Sequence, residues 1–232
     1  MGAPLKLPTP SAIAMKILGT ILRADFSSQD LAHLIETDPA LTVKVIGYAN
    51  PPFYAGNGDV KSVKRAIDVL GIKVVSNIAL SFSIVDALWD RGTKGFDYEN
   101  FWKASVVRAA AANIFARFPG CSSEDAFVVA LLADVGKVLM FMARPGEYLR
   151  VQEGVRGTGA KDCEVERRIF TCDHQDIGGE TLKSWGMPES IYLPVASHHE
   201  GPCGKGDSIL LARTVLRVCT TTDILASRSR AK

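Results

Sequence analysis

The stretch best placed to do chemistry is Phe127 to Met142, FVVALLADVGKVLMFM, which carries Asp134, Gly136 and Lys137 inside an otherwise apolar run. The apolar run predicts a single helix, buried on nearly every side, because water would otherwise face its Leu, Val, Met and Phe side chains. A carboxylate in such a place costs several kcal/mol, roughly, unless a partner or a cation offsets the loss of water. Asp134 is therefore either a structural acceptor or part of a site. Lys137, one turn on, is expected to serve as its partner or to meet a helix C-terminus. No Ser-His-Asp order, phosphate-binding P-loop or dinucleotide fingerprint occurs anywhere in the chain.

The elements that must position Asp134 all read as helices. Thr9-Pro10, Ser27 and Asp38-Pro39 are helix-start signals, each followed by apolar residues at helical spacing, and Pro51-Pro52 stops the third helix. Lys61 to Leu70 is a short amphipathic helix ended by Gly71, and Ile72 to Trp89 is a longer apolar one. Asp97 caps a helix from Tyr98 to Phe118. Shorter helices follow at 147–155 and 162–171, around a glycine-rich turn at 154–159. Asp173 precedes a helix closed by Gly186, and Pro188 opens one running to His198-His199. Asp207 caps a last helix, 208–226. No alternating strand pattern is present. The expectation is an all-α bundle of two helical lobes, 5–90 and 97–227, joined at 91–96 within one domain of 232 residues.

Composition narrows the class. Apolar residues make up 47% and charged residues 22%, the balance of a soluble globular chain. A net charge of +2 gives no strong field for nucleic acid. The start of the chain lacks a basic-then-apolar signal, and five cysteines without a C-x-x-C pair read as reduced thiols in a cytoplasmic protein. The cluster Lys61, Lys64, Arg65 and Lys73 reads as a solvated face. His33 reads as a surface residue, and Met140 and Met142 as core. The loop PPFYAGN, with Phe53 and Tyr54, has the aromatic-and-glycine make-up of a partner-binding loop.

The phrases LPTPSAIAMKIL, DLAHLIETDPALTVKVIGYANPPFY, SVKRAIDVLGIKVVSNIAL, FWKAS, LLADVGK, HQDIG and WGMPESI resemble the HDOD domain, a regulatory branch of the HD superfamily of metal-dependent phosphohydrolases. In the catalytic members, a first His, a His-Asp pair and a distant Asp hold a cation that activates water. The resemblance puts Ala104 and Ala133 at the two His positions, and a methyl group offers no lone pair to a metal. Asp134 keeps the Asp position, and Asp223 is the loosest match, to the distant one. In the HD-GYP relatives a second metal is held by the shared Asp and three further His residues. By that likeness His174, His198 and His199 complete a residual half-site with Asp134, either holding iron or manganese or bonded to one another without an ion.

The resemblance thus implies a bacterial signal-transduction module without chemistry of its own or a cofactor, binding a protein partner or a small nucleotide. Lys137, Phe53 and Tyr54 are the contact candidates. The alternative is a phosphohydrolase acting on a nucleotide or cyclic dinucleotide.

Overall fold

The computed structural model describes residues 11–21, 26–50, 60–88, 94–115 and 123–199. Phe53, Tyr54, Asp223, the helix expected at 208–226 and residues 91–93 of the 91–96 connection lie outside the described residues. Every regular element among the described residues is a helix, so the fold is all-α. The chain divides into two compact units, Thr9–Ala87 and Met1–Pro8 with Leu88–Lys232.

The first unit holds α1 (Ala12–Ile21), α2 (Ser28–Glu36), α3 (Pro39–Ala49), α4 (Val63–Leu70) and α5 (Ile72–Ala87). Its helix starts follow local chemistry. Ser27 and Asp30 form a reciprocal capping box, and Asp38 caps α3 ahead of proline at its first position. Ser62 caps α4. Gly71 ends α4 with φ 90°, a backbone region that favours glycine. Ile17, Leu31, Ile35, Leu41, Val45, Val63, Val75 and Ile84 form the core, while Lys61, Lys64, Arg65, Lys73 and His33 are exposed.

The second unit holds α6 (Tyr98–Phe115), α7 (Ser123–Leu132), α8 (Val135–Ala143), α9 (Pro145–Thr158), α10 (Asp162–Phe170), α11 (His174–Ser184) and α12 (Glu189–Ala196). Its core joins the apolar α7–α8 stretch to an aromatic cluster in which Phe96 lies 4.8 Å from Tyr98, 5.2 Å from Phe141 and 6.0 Å from Tyr148. Asp125–Ala143 is apolar and long enough to cross a bilayer, with mean hydropathy 2.1, but 83% of it is buried inside the protein, as a core segment would be.

Three expectations are corrected here. The stretch 127–142 is not one helix: it breaks at Ala133–Asp134, and Asp134 sits at φ −93°, ψ 12° ahead of α8. Its carbonyl accepts from the Lys137 N–H at 2.9 Å, but its side chain does not cap the helix. The carboxylate is thereby available to partners elsewhere. Second, the glycine-rich turn at 154–159 shrinks to Gly159, because α9 continues through Gly154 and Gly157 to Thr158. A Cβ on Gly154 would come within 2.9 Å of Val165, so this glycine serves the packing of α9 on α10. Third, α12 ends at Ala196, and His198 and His199 lie in the turn that follows.

Candidate metal centre

Glycines bring the site's helices together. A Cβ on Gly136 of α8 would fall 1.9 Å from the His174 carbonyl oxygen, so only glycine lets α8 reach the start of α11. Farther along α11, a Cβ on Gly179 would lie 2.4 Å from Ala196 Cβ of α12. The α7–α8 break, the N-terminus of α11 and the end of α12 therefore converge.

Where they converge, one ligand atom from each of Asp134, His174, His198 and His199 lies within 4.8 Å of the others. The structure thus gathers all four residues of the expected half-site. Asp134, His174 and His198 are buried, whereas His199 is exposed and gives the group an edge to solvent. The Nε2 atoms of His174 and His198 are 3.3 Å apart, and they lie 3.4 and 3.6 Å from Asp134 Oδ1. That oxygen is buried and accepts no hydrogen bond among the described residues.

The supporting contacts decide which atoms carry lone pairs. His198 Nδ1 is 2.8 Å from the Val195 carbonyl, which can only accept, so Nδ1 carries a proton and Nε2 is the atom turned toward Asp134. His174 Nδ1 is 2.5 Å from Glu166 Oε2, which also accepts the His174 backbone N–H at 3.0 Å. Burial raises the Glu166 carboxyl to about 7, against the pull of Lys137 and of that N–H. An ionised Glu166 accepts from His174 Nδ1 and leaves the Nε2 lone pair for the site. Burial, with Lys137 nearby, pushes His174 down to about 3, so its ring is neutral at physiological pH. Gln175 Oε1 accepts the His199 backbone N–H at 2.7 Å and fixes the final turn.

This donor set fits a divalent transition ion. Two imidazole nitrogens and the buried Asp134 Oδ1 face one another, and such ligands suit zinc, iron and manganese. The His174–Glu166 pair is the orienting contact that metal-bound histidines commonly have.

Two further residues share Asp134. Arg108 of α6 is buried and places Nη1 2.5 Å from Asp134 Oδ2. Lys137 Nζ lies 3.3 Å from Asp134 Oδ1 and 2.5 Å from Asp162 Oδ2. Burial alone would raise the Asp134 carboxyl, but Arg108 and Lys137 outweigh it and hold it well below the usual range. Burial would likewise discharge Lys137, but Asp134 and Asp162 keep it charged, with its pKa well above the ordinary value. Lys137 is therefore the expected partner of Asp134, held between two carboxylates. Asp162 and Glu166 stand one turn apart on α10 and reach Lys137 and His174 in turn. Sequence reading missed Arg108, Asp162, Glu166 and Gln175. The available signal was the i, i+4 pair Asp162–Glu166, with Glu166 on the face of Val165 and Phe170.

Comparison with known proteins bears on the family and the fold. The model of the HDOD domain matches residues 7–201. An HDOD domain protein of unknown function from Geobacter sulfurreducens is 25% identical, with TM-score 0.75, covering 92% of this chain and 72% of that one. The MmoQ response regulator of Methylococcus capsulatus is 31% identical, with TM-score 0.50, covering 93% and 85%. A proposed metal-dependent phosphohydrolase from Shewanella amazonensis is 21% identical, with TM-score 0.71 over 95% and 78%, a likeness of fold. The chain spans 38% of the length of a curated relative, an uncharacterized protein from Treponema pallidum 19% identical over 198 residues. A family match over most of the length, on a helical fold shared with a solved HDOD protein, settles the family: the chain belongs to the HDOD domain family.

Proposed function

We propose that this chain is a non-catalytic, cytoplasmic signal-transduction module that responds to a protein partner or a small nucleotide, with residues 1–232 acting as one HDOD domain. The observation that carries this reading is the pairing of Asp134 Oδ2 with the buried Arg108 guanidinium. Hydrolysis at a two-metal centre needs the shared carboxylate to bridge two cations. Here one of its oxygens faces an arginine, and Ala104 and Ala133 offer no ligand on that side. The response-regulator relative, 31% identical over 93% of this chain, supports a signalling role. The net charge of +2 favours neither nucleic acid nor an anionic membrane as partner. Phe53 and Tyr54 are the proposed partner contacts.

The donor group of Asp134, His174, His198 and His199 favours a second reading, a phosphohydrolase that uses iron or manganese and acts on a nucleotide or cyclic dinucleotide. One experiment separates the two. The protein and its His174→Ala variant are incubated with a generic phosphodiester and with cyclic dinucleotides in the presence of manganese or iron. The regulatory reading expects no turnover above the buffer blank in either. Turnover that disappears with His174→Ala would replace it with the hydrolase.

A further inference from the structure

Asp134 presents its two oxygens to two different environments. Oδ1 faces the imidazole Nε2 atoms of His174 and His198 at 3.4 and 3.6 Å. Oδ2 meets Arg108 at 2.5 Å. The Arg108 side chain is only 6% exposed, so this charge sits where water screens it little. Lys137 is 2.5 Å from Asp162 and 3.3 Å from Asp134, which leaves Arg108 as the nearest countercharge of Asp134. Arg108, Asp134, Lys137 and Asp162 thus form a chain of two cations and two carboxylates that balances without a metal ion. Ala104 lies one turn before Arg108 on the same side of α6.

We propose that Arg108 is a built-in cation that sets the metal affinity of this site: it satisfies Asp134 from the Oδ2 side and limits the pocket to a single, weakly held divalent ion on the imidazole side. A fixed arginine cannot lose its charge at any ordinary pH. It repels a divalent ion on the opposite face of the same carboxylate through a medium of low dielectric. It also stabilises the metal-free protein, because removing it strands a buried carboxylate. Arg108 therefore acts in opposite directions on folding and on metal binding. This inference rests on the donor geometry and not on the regulatory reading: turnover by the wild-type protein would overturn that reading and leave this one standing.

The test uses the full chain and its Arg108→Met, Arg108→Gln and Arg108→Lys variants, each also carrying His174→Ala in a parallel set. Zinc affinity is measured by competition with a chromophoric chelator, cobalt(II) binding by its visible absorption, and the metal-free melting temperature by circular dichroism. Arg108→Met and Arg108→Gln are expected to melt lower without metal, yet to bind zinc about tenfold tighter or more. That gain is expected to vanish with His174→Ala, and Arg108→Lys, which keeps the charge, is expected to stay near wild-type affinity. Arg108→Gln keeps a donor for Oδ2 and serves if Arg108→Met does not fold. Unchanged or weaker zinc binding in the neutral variants would overturn the proposal, as would a gain that survives His174→Ala or that Arg108→Lys shares.

Discussion

In the unit built from α1 to α5, the buried polar side chains are Ser76, Ser81 and Ser83 among the described residues. Each donates to the carbonyl four residues earlier in its own helix, at 2.7, 2.7 and 2.8 Å. These hydroxyls are satisfied locally and commit no other element. The unit built from α6 to α12 also buries two locally satisfied hydroxyls, Ser105 and Thr181, each donating to the carbonyl four residues earlier, but it adds Arg108, Asp134, Glu166, Asp173, His174, Gln175 and His198. Apart from the local cap Asp173, these seven make contacts between elements: α6 reaches the α7–α8 junction, α10 reaches α11, and α11 reaches the turn after α12. Local satisfaction gives a packing unit, and long-range satisfaction of charged groups gives a site. The candidate metal ligands lie in the second arrangement, and the greater sensitivity to single substitutions is expected there.

That contrast can be broken at the ion pairs first. Arg108→Ala strands the Asp134 carboxylate in the interior and is expected to cost about 3–5 kcal/mol of stability in urea unfolding. Lys44→Ala, which removes the half-exposed ion pair with Asp86 in the first unit, is expected to cost no more than about 1 kcal/mol. Equal losses in the two variants would erase the distinction between the units.

Glycines sharpen the comparison at smaller scale. Gly136→Ala sets a Cβ 1.9 Å from a backbone oxygen that cannot turn aside, so a loss of about 3 kcal/mol or more is expected, together with loss of metal binding. Gly47 lies within α3, and a methyl group added there would meet nothing within 4 Å. Gly47→Ala is therefore expected to stabilise by about 0.5–1 kcal/mol, seen as a higher urea midpoint. A stable Gly136→Ala protein that still binds metal would show that the approach of α8 to α11 is not what builds the site.

How far the sequence reaches follows the same division. The caps Ser27, Asp38, Ser62 and Asp173 act through residues within a few positions of themselves, and each stands where its local chemistry places it. The break at Ala133–Asp134 carries neither glycine nor proline at the broken positions, so the apolar pattern runs across it without a mark. Arg108 lies in VVRAAAAN, which shows no reason for a buried guanidinium until Asp134 is brought against it. Glu166 sits in a charged run, CEVERRIF, in which Arg167 and Arg168 face solvent while Glu166 turns inward with Val165 and Phe170. The four donor residues themselves came from likeness to a family, and chain folding supplies what likeness could not, the protons and countercharges around them.

The most direct test of the account is to count metal. Purified protein is equilibrated with excess manganese, iron(II) or zinc, separated from free ion by gel filtration, and analysed by elemental mass spectrometry. With Arg108 holding one side of Asp134, no more than one ion per chain is expected, and none in His174→Ala. Two ions per chain, both lost with Asp134→Ala, would mean that the carboxylate bridges a metal pair after all and that Arg108 yields to the second ion.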